Sequence, residues 1–219
     1  MNTFIQGHLI WIVFLIFILG LAFQFTQFFK LTRKKEWAYP PLEIKSQKKT
    51  PGQWVTSCLA SLNGTLWKTD RLMTVMTSAF HVFLISVPVF LLGHNILLDQ
   101  SWGLSLWSLP ESLADTLALM VILCVAFFLM RRLFLARVRA ISTFYDYLVL
   151  LIAVAPFLTG YFAYHQWFDY DTVMTLHILA GEIMLITIPF TKLGHMLFFF
   201  LYRFLIGSEY SFARGARAW

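Results

Sequence analysis

The sequence predicts an all-α integral membrane protein with five transmembrane helices in one membrane domain, and three observations carry that expectation. Apolar residues make up 59% of the 219 and charged residues only 13%, so most of the chain is suited to lipid rather than to water. Five apolar segments reach spanning length, at about residues 4–29, 74–98, 113–130, 144–164 and 172–205. All 17 Lys and Arg fall between the first and second segments, between the third and fourth, or toward the C-terminal end. The other two connections hold acids instead: Asp99, Glu111 and Asp115 on one, Asp169 and Asp171 on the other. By the positive-inside rule the N-terminus is expected outside and the C-terminus in the cytoplasm, as a multi-pass protein of a prokaryotic cytoplasmic (inner) membrane. The net charge of +6 thus follows topology, and no nucleic-acid partner is expected.

The first segment lacks a basic n-region and a small-residue cleavage site, so it is expected to be a retained helix rather than a signal peptide. The loop from Lys30 to Arg71 carries Pro40, Pro41, Trp37, Trp54, Trp67 and most of the basic charge. It reads equally as a segment lying on anionic lipid and as a docking surface for a cytoplasmic protein. The second segment contains His81 and His94 with Pro88 between them, and the third stops sharply at Arg131 and Arg132. The fourth ends at Tyr161, Tyr164 and His165. Cys58 and Cys124 stand alone, with no CxxCH for covalent haem attachment and no zinc or iron–sulfur spacing.

The fifth segment, TVMTLHILAGEIMLITIPFTKLGHMLFFFLYRF, carries His177 and His195 eighteen residues apart. On one continuous helix, eighteen steps return to the same face after about 27 Å, close to the thickness of a hydrocarbon core. Gly181 lies one turn from His177, and Gly194 adjoins His195, so a flat, bulky group can approach the backbone at both places. Paired histidines at two depths point to two b haems, each needing a second axial ligand from another helix. The second and fifth helices are antiparallel, so matching depths pairs His81 with His195 on the inner side and His94 with His177 on the outer side. The thirteen residues between His81 and His94 leave their rings about 140° apart on a straight helix. Both cannot then face the fifth helix, and Pro88 is the position at which a kink can restore the phase. His8 and His165, also near the outer surface, are the reserve ligands. The competing class is a membrane anchor or small transporter whose histidines relay protons or bind a metal.

Several stretches resemble the respiratory nitrate reductase gamma subunit. They are Arg131-Arg132-Leu133-Phe134 with Arg137-Val138-Arg139-Ala140, Phe80-His81 with Leu92-Gly93-His94, and Leu176 to Gly181 with Pro189 to His195. The resemblance covers roughly residues 74–196 and implies a dihaem cytochrome b subunit ligated by His81, His94, His177 and His195. Such a subunit oxidises quinol, here expected to be menaquinol, near the outer haem and passes electrons to a cytoplasmic iron–sulfur subunit. Two departures stand out. His81 and His94 are farther apart than the family's first pair, and residues 109–115 lack a lysine associated with quinol binding. Similar cytochrome b subunits occur in the transmembrane redox complexes of sulfate reducers, beside other membrane subunits and periplasmic cytochromes c, and the missing lysine points toward that branch.

Other polar residues receive roles of their own. Lys192, three residues before His195, is read either as a partner for a haem propionate or as a snorkelling interfacial lysine. Arg131 and Arg132 are expected mainly on lipid phosphate. Glu182 points about 140° away from His177 and is expected as a hydrogen-bonded packing group rather than a ligand, with a proton path as the other reading. Asp115, Tyr161, Tyr164 and His165 form the expected quinone site at the outer end, with His165 as a proton acceptor near neutral pH.

Overall fold

The computed structural model describes residues 9–32 and 70–195, with no side-chain description for 31 and 32. His8, the three loop tryptophans, Cys58 and everything after His195 lie outside the described residues. The elements are α1 (Ile10–Thr32), α2 (Arg71–Phe90), α3 (Leu92–Trp102), α4 (Glu111–Phe134), the short α5 (Ala136–Arg139), α6 (Phe144–Tyr164) and α7 (Tyr170–Phe190), followed by a 3₁₀ turn at Lys192–Gly194. Among the described residues five helices, α1, α2, α4, α6 and α7, are long and apolar enough to cross a membrane. Their outer faces carry large apolar side chains, with Leu15, Ile18, Leu72, Leu123 and Leu151 all more than half exposed. Faces of that composition are wetted by lipid rather than water.

Local chemistry starts these helices where charge and capping dictate. Asp70 caps α2 by accepting the Met73 N–H at 3.0 Å and pairs with Arg131 at 3.0 Å. The Met73 amide, joined by the Arg131 guanidinium, holds the Asp70 carboxyl below its ordinary range. Thr143 and Asp146 form a reciprocal capping box at α6. Asp169 caps α7 through the Thr172 hydroxyl and amide, which hold its carboxyl low as well. Arg131 and Arg132 sit in the last turn of α4, where cations oppose the helix dipole. Every described Lys and Arg lies at one end of the bundle, the basic end; Asp99, Glu111, Asp115, Asp169 and Asp171 mark the acidic end.

Two segments are not single continuous helices. The second is broken at Leu91, whose backbone is extended (φ −70°, ψ 130°), and resumes as α3 to Trp102. The break falls three residues beyond Pro88, because other groups take the freed carbonyls there. Leu109 N–H bonds the Phe90 oxygen at 2.8 Å, and His94 bonds the Pro88 oxygen. The fifth segment does not run to residue 205 as one helix. It stops at Phe190, turns through extended Thr191 (φ −126°, ψ −178°) and continues as the 3₁₀ turn that delivers His195. Pro189 starts this corner by withholding a backbone donor. Gln24 of α1 stabilises it by donating to the Pro189 carbonyl at 2.9 Å.

Helix α6 packs along α7, α4 packs against α2 and α6, and α1 packs against α7. Leu84, Val87, Val121 and Phe157 form the buried centre, with Phe80, Phe83, Leu117 and Met184 around them. Helices α2 and α7 do not pack closely backbone to backbone. They face each other across side chains alone, and the histidines lie on that seam.

Candidate dihaem site

His81 projects from the middle of α2, and its Nδ1 donates to the Thr77 carbonyl one turn back at 2.7 Å. His195, presented by the 3₁₀ turn, uses Nδ1 on the Lys192 carbonyl. The two rings meet with centroids 5.6 Å apart and planes nearly perpendicular, at 88°. At the other level His94 donates from Nδ1 to the Pro88 carbonyl at 2.9 Å, and His177 does the same to Pro156 of α6, also at 2.9 Å. These rings have centroids 6.0 Å apart and planes 16° from parallel. The depth pairing expected from the sequence is therefore the pairing in space. The break at Leu91 turns His94 onto the face that a straight helix would deny it. The eighteen-residue phase argument for His177 and His195 does not hold as stated, since the interval between them is not one helix; the corner after Pro189 brings His195 to His81.

The four hydrogen bonds share one chemical consequence. A carbonyl oxygen only accepts, so each Nδ1 carries the proton and the lone pair of the neutral ring sits on Nε2. None of the four Nε2 atoms has a hydrogen bond among the described residues. A backbone carbonyl on one nitrogen with the other nitrogen left as a donor of electrons is the usual dress of a metal-bound histidine. Among the described residues no three His, Cys, Asp or Glu side chains gather as a metal cage. Haem iron asks for only two protein ligands, and two is what each level offers.

The surroundings are apolar at one level and open at the backbone at the other. A recess beside the His81–His195 pair is lined by Phe80, Leu84, Met184, Ile188 and Leu193. A Cβ added at Gly93, next to His94, or at Gly181, one turn from His177, would meet nothing within 4 Å. Both glycines leave backbone open to an incoming ring. Between the two levels lies the buried Leu84, Val87, Val121 and Phe157 cluster, which holds no polar group.

His165 is built differently from the other four. Its Nε2 faces the Asp115 carboxylate at 3.0 Å, and the rings of Tyr161 and Tyr164 lie 4.3 and 5.2 Å from it. Asp115, Tyr161, Tyr164 and His165 are thus one cluster at the acidic end, as expected. The turn beneath them holds two non-glycine residues at positive φ, Gln166 (52°) and Phe168 (66°), a conformation that side chains other than glycine resist. With Nε2 engaged on Asp115, His165 is not placed as the partner of His177; His94 fills that position.

At the basic end Lys192 is 61% exposed, and its ammonium contacts Asp146 at 2.8 Å and lies over the Tyr145 ring. Its exposure is that of an interfacial lysine, with its ammonium engaged by a carboxylate. Arg132 reaches the Ser142 hydroxyl at 2.9 Å. Glu182 is 6% exposed, and neither carboxyl oxygen has a partner among the described residues. It is packed as expected, and the hydrogen bond expected of it is not made among the described residues.

Three contributors were not singled out from the sequence. Thr77 and Pro156 act through main-chain oxygens, which any residue possesses. Gly160 lies so close to His177 that a Cβ there would fall 2.9 Å from Cε1 and 3.1 Å from Nδ1. The one signal for it was a glycine within a helix otherwise built from larger residues.

No family model matches this chain, and no solved structure matches it. A protein of Nitratidesulfovibrio vulgaris (strain Hildenborough), described only as "Protein", is 34% identical over 223 residues, which cover 98% of this chain and 96% of that one. Identity at that level along nearly the full length of both means common descent, and the chain belongs to the same family as the N. vulgaris protein.

Proposed function

We propose that this chain is the dihaem cytochrome b subunit of a respiratory complex, moving electrons between the quinone pool and partner redox subunits. The observation that carries the reading is the shared state of four histidines. They lie in two pairs at two levels, each with Nδ1 on a backbone carbonyl and Nε2 without a hydrogen bond among the described residues. A proton relay needs both imidazole nitrogens in a polar chain, whereas Leu84, Val87, Val121 and Phe157, packed between the two levels, are apolar.

In this reading His81 and His195 hold the inner haem, and His94 and His177 the outer one. When bound, the haems supply one-electron redox chemistry. The chain's own residues do the rest. The carbonyls of Thr77, Lys192, Pro88 and Pro156 fix ring orientation, and Leu84, Val87, Val121 and Phe157 keep water from the space between. The acidic end is the outer face and the basic end the cytoplasmic one, by the asymmetry of Lys and Arg. Quinol, with menaquinol the favoured type, reacts at the outer end, where the Asp115–His165 pair can accept a hydroxyl proton. Electrons then pass inward to a cytoplasmic iron–sulfur subunit, with a periplasmic cytochrome c as the other partner.

The test is optical. The purified chain should show a Soret band and a reduced α-band with two haems per chain. His81→Ala and His195→Ala should each remove one and the same haem; His94→Ala and His177→Ala should each remove the other. A colourless protein, or a haem lost from the wrong pair, would refute the reading.

A further inference from the structure

The four rings are not held alike. His81, His94 and His195 each bond a carbonyl within six residues of themselves, whereas His177 bonds Pro156, twenty-one residues away on another helix. Thr159 of α6 adds its hydroxyl at 3.4 Å from the same Nδ1. Gly160, on the next residue, leaves the space into which the Cε1–Nδ1 edge of the ring fits. The Nδ1–Cε1 edge of the ring is thus both tied to a carbonyl of α6 and laid against its bare backbone.

Resting on the dihaem reading, we propose that the Gly160 notch of α6, with the Pro156 carbonyl, is the positioning device that sets the His177 ring plane and so makes the two haem sites inequivalent. A Cβ at position 160 would stand 2.9 Å from Cε1, whereas carbon atoms in contact settle at about 3.5–4.0 Å. Neither neighbour is a flexible chain end, since the imidazole is rigid and its Nδ1 is tied to a helix carbonyl. Relief requires the ring to rotate or to give up that bond. Either change destroys the near-parallel alignment with His94, 16° in the protein as it stands. The inner pair, at 88°, has both rings anchored on carbonyls near in sequence, and its link to α6, through Lys192 to Tyr145 and Asp146, lies about four turns from Gly160.

The angle between axial imidazole planes governs how the iron d orbitals split, so it is visible by electron paramagnetic resonance without any turnover. Parallel planes give a rhombic low-spin ferric signal, and perpendicular planes a nearly axial one with a large leading g value. The oxidised protein should show one of each. Gly160→Ala should abolish or shift the rhombic signal and leave the large-g signal and its haem untouched. Thr159→Val, nearly isosteric, should move the rhombic signal by less and again spare the other. The inner signal serves as the folding control within the same sample. An unchanged rhombic signal in Gly160→Ala overturns the inference. So does loss of both signals, which would make Gly160 a requirement of α6–α7 packing as a whole. Should Gly160→Ala not accumulate, an unaltered rhombic signal in Thr159→Val overturns it instead. A wild-type protein without haem would refute the dihaem reading, a different result from any of these.

Discussion

Replacing Gly20 by alanine tests how α1 is seated on the corner that delivers His195. A Cβ at position 20 would lie 2.7 Å from Pro189 Cγ, 2.8 Å from Pro189 Cβ and 3.0 Å from Phe190 Cζ. Carbon contacts settle at about 3.5–4.0 Å, so α1 must retreat by about 1 Å, because a proline ring cannot fold aside. Overpacking of this kind costs about 1–3 kcal/mol. The retreat also stretches the bond from Gln24, one turn along, to the Pro189 carbonyl, now 2.9 Å. An interhelical hydrogen bond in a membrane protein is worth about 0.6–2 kcal/mol. The two losses share one movement and are not independent, so about 2–4 kcal/mol is the expected total. Thermal unfolding of the detergent-solubilised protein should shift down by at least about 4 °C. Gln24→Leu alone should give a smaller shift. The damage should also be one-sided: the His81–His195 site loosens while His94–His177, far from the corner, does not. A Gly20→Ala protein that melts with the wild type would refute the seating of α1 on Pro189.

Two further outcomes are expected. His165→Gln or Asp115→Asn should slow reduction by a quinol analogue several-fold while leaving the absorption spectrum intact; unchanged kinetics in both variants would move the quinol site elsewhere. A reporter active only in the cytoplasm should work when fused after Trp219 and fail when placed in the loop between Asp99 and Glu111, and the reverse pattern would invert the orientation.

Spanning helices and histidine pairs were legible in the sequence because they depend on quantities that add along the chain, such as apolar length and depth from an end. The breaks were legible only as possibilities. Pro88 and Pro189 announce that a helix is weakened, but the place where it parts is chosen by whichever group arrives to take the freed carbonyls. Those groups are Leu109, His94 and Gln24, and the last comes from a helix 165 residues away in sequence. For the same reason the phase mismatch of His94 could be stated from the sequence and not resolved. Lys192 illustrates a second limit. Its distance to His195 is local, but its partner Asp146 lies 46 residues away, and only the folded chain shows that the ammonium is already engaged.

The anchors of the four rings are main-chain oxygens, and this changes what mutation can reach. A carboxylate that orients a histidine can be deleted by one codon change; a peptide carbonyl is supplied by every residue type alike. Alanine scanning around these histidines would therefore pass over the groups that set their tautomers and report the neighbourhood as tolerant. The tautomers yield only to changes that bend the backbone or crowd a ring, at Pro88, Pro156, Gly160 and the corner after Pro189. The side chains around the histidines can therefore be replaced with little effect on ring orientation, provided those few backbone-shaping positions keep their geometry.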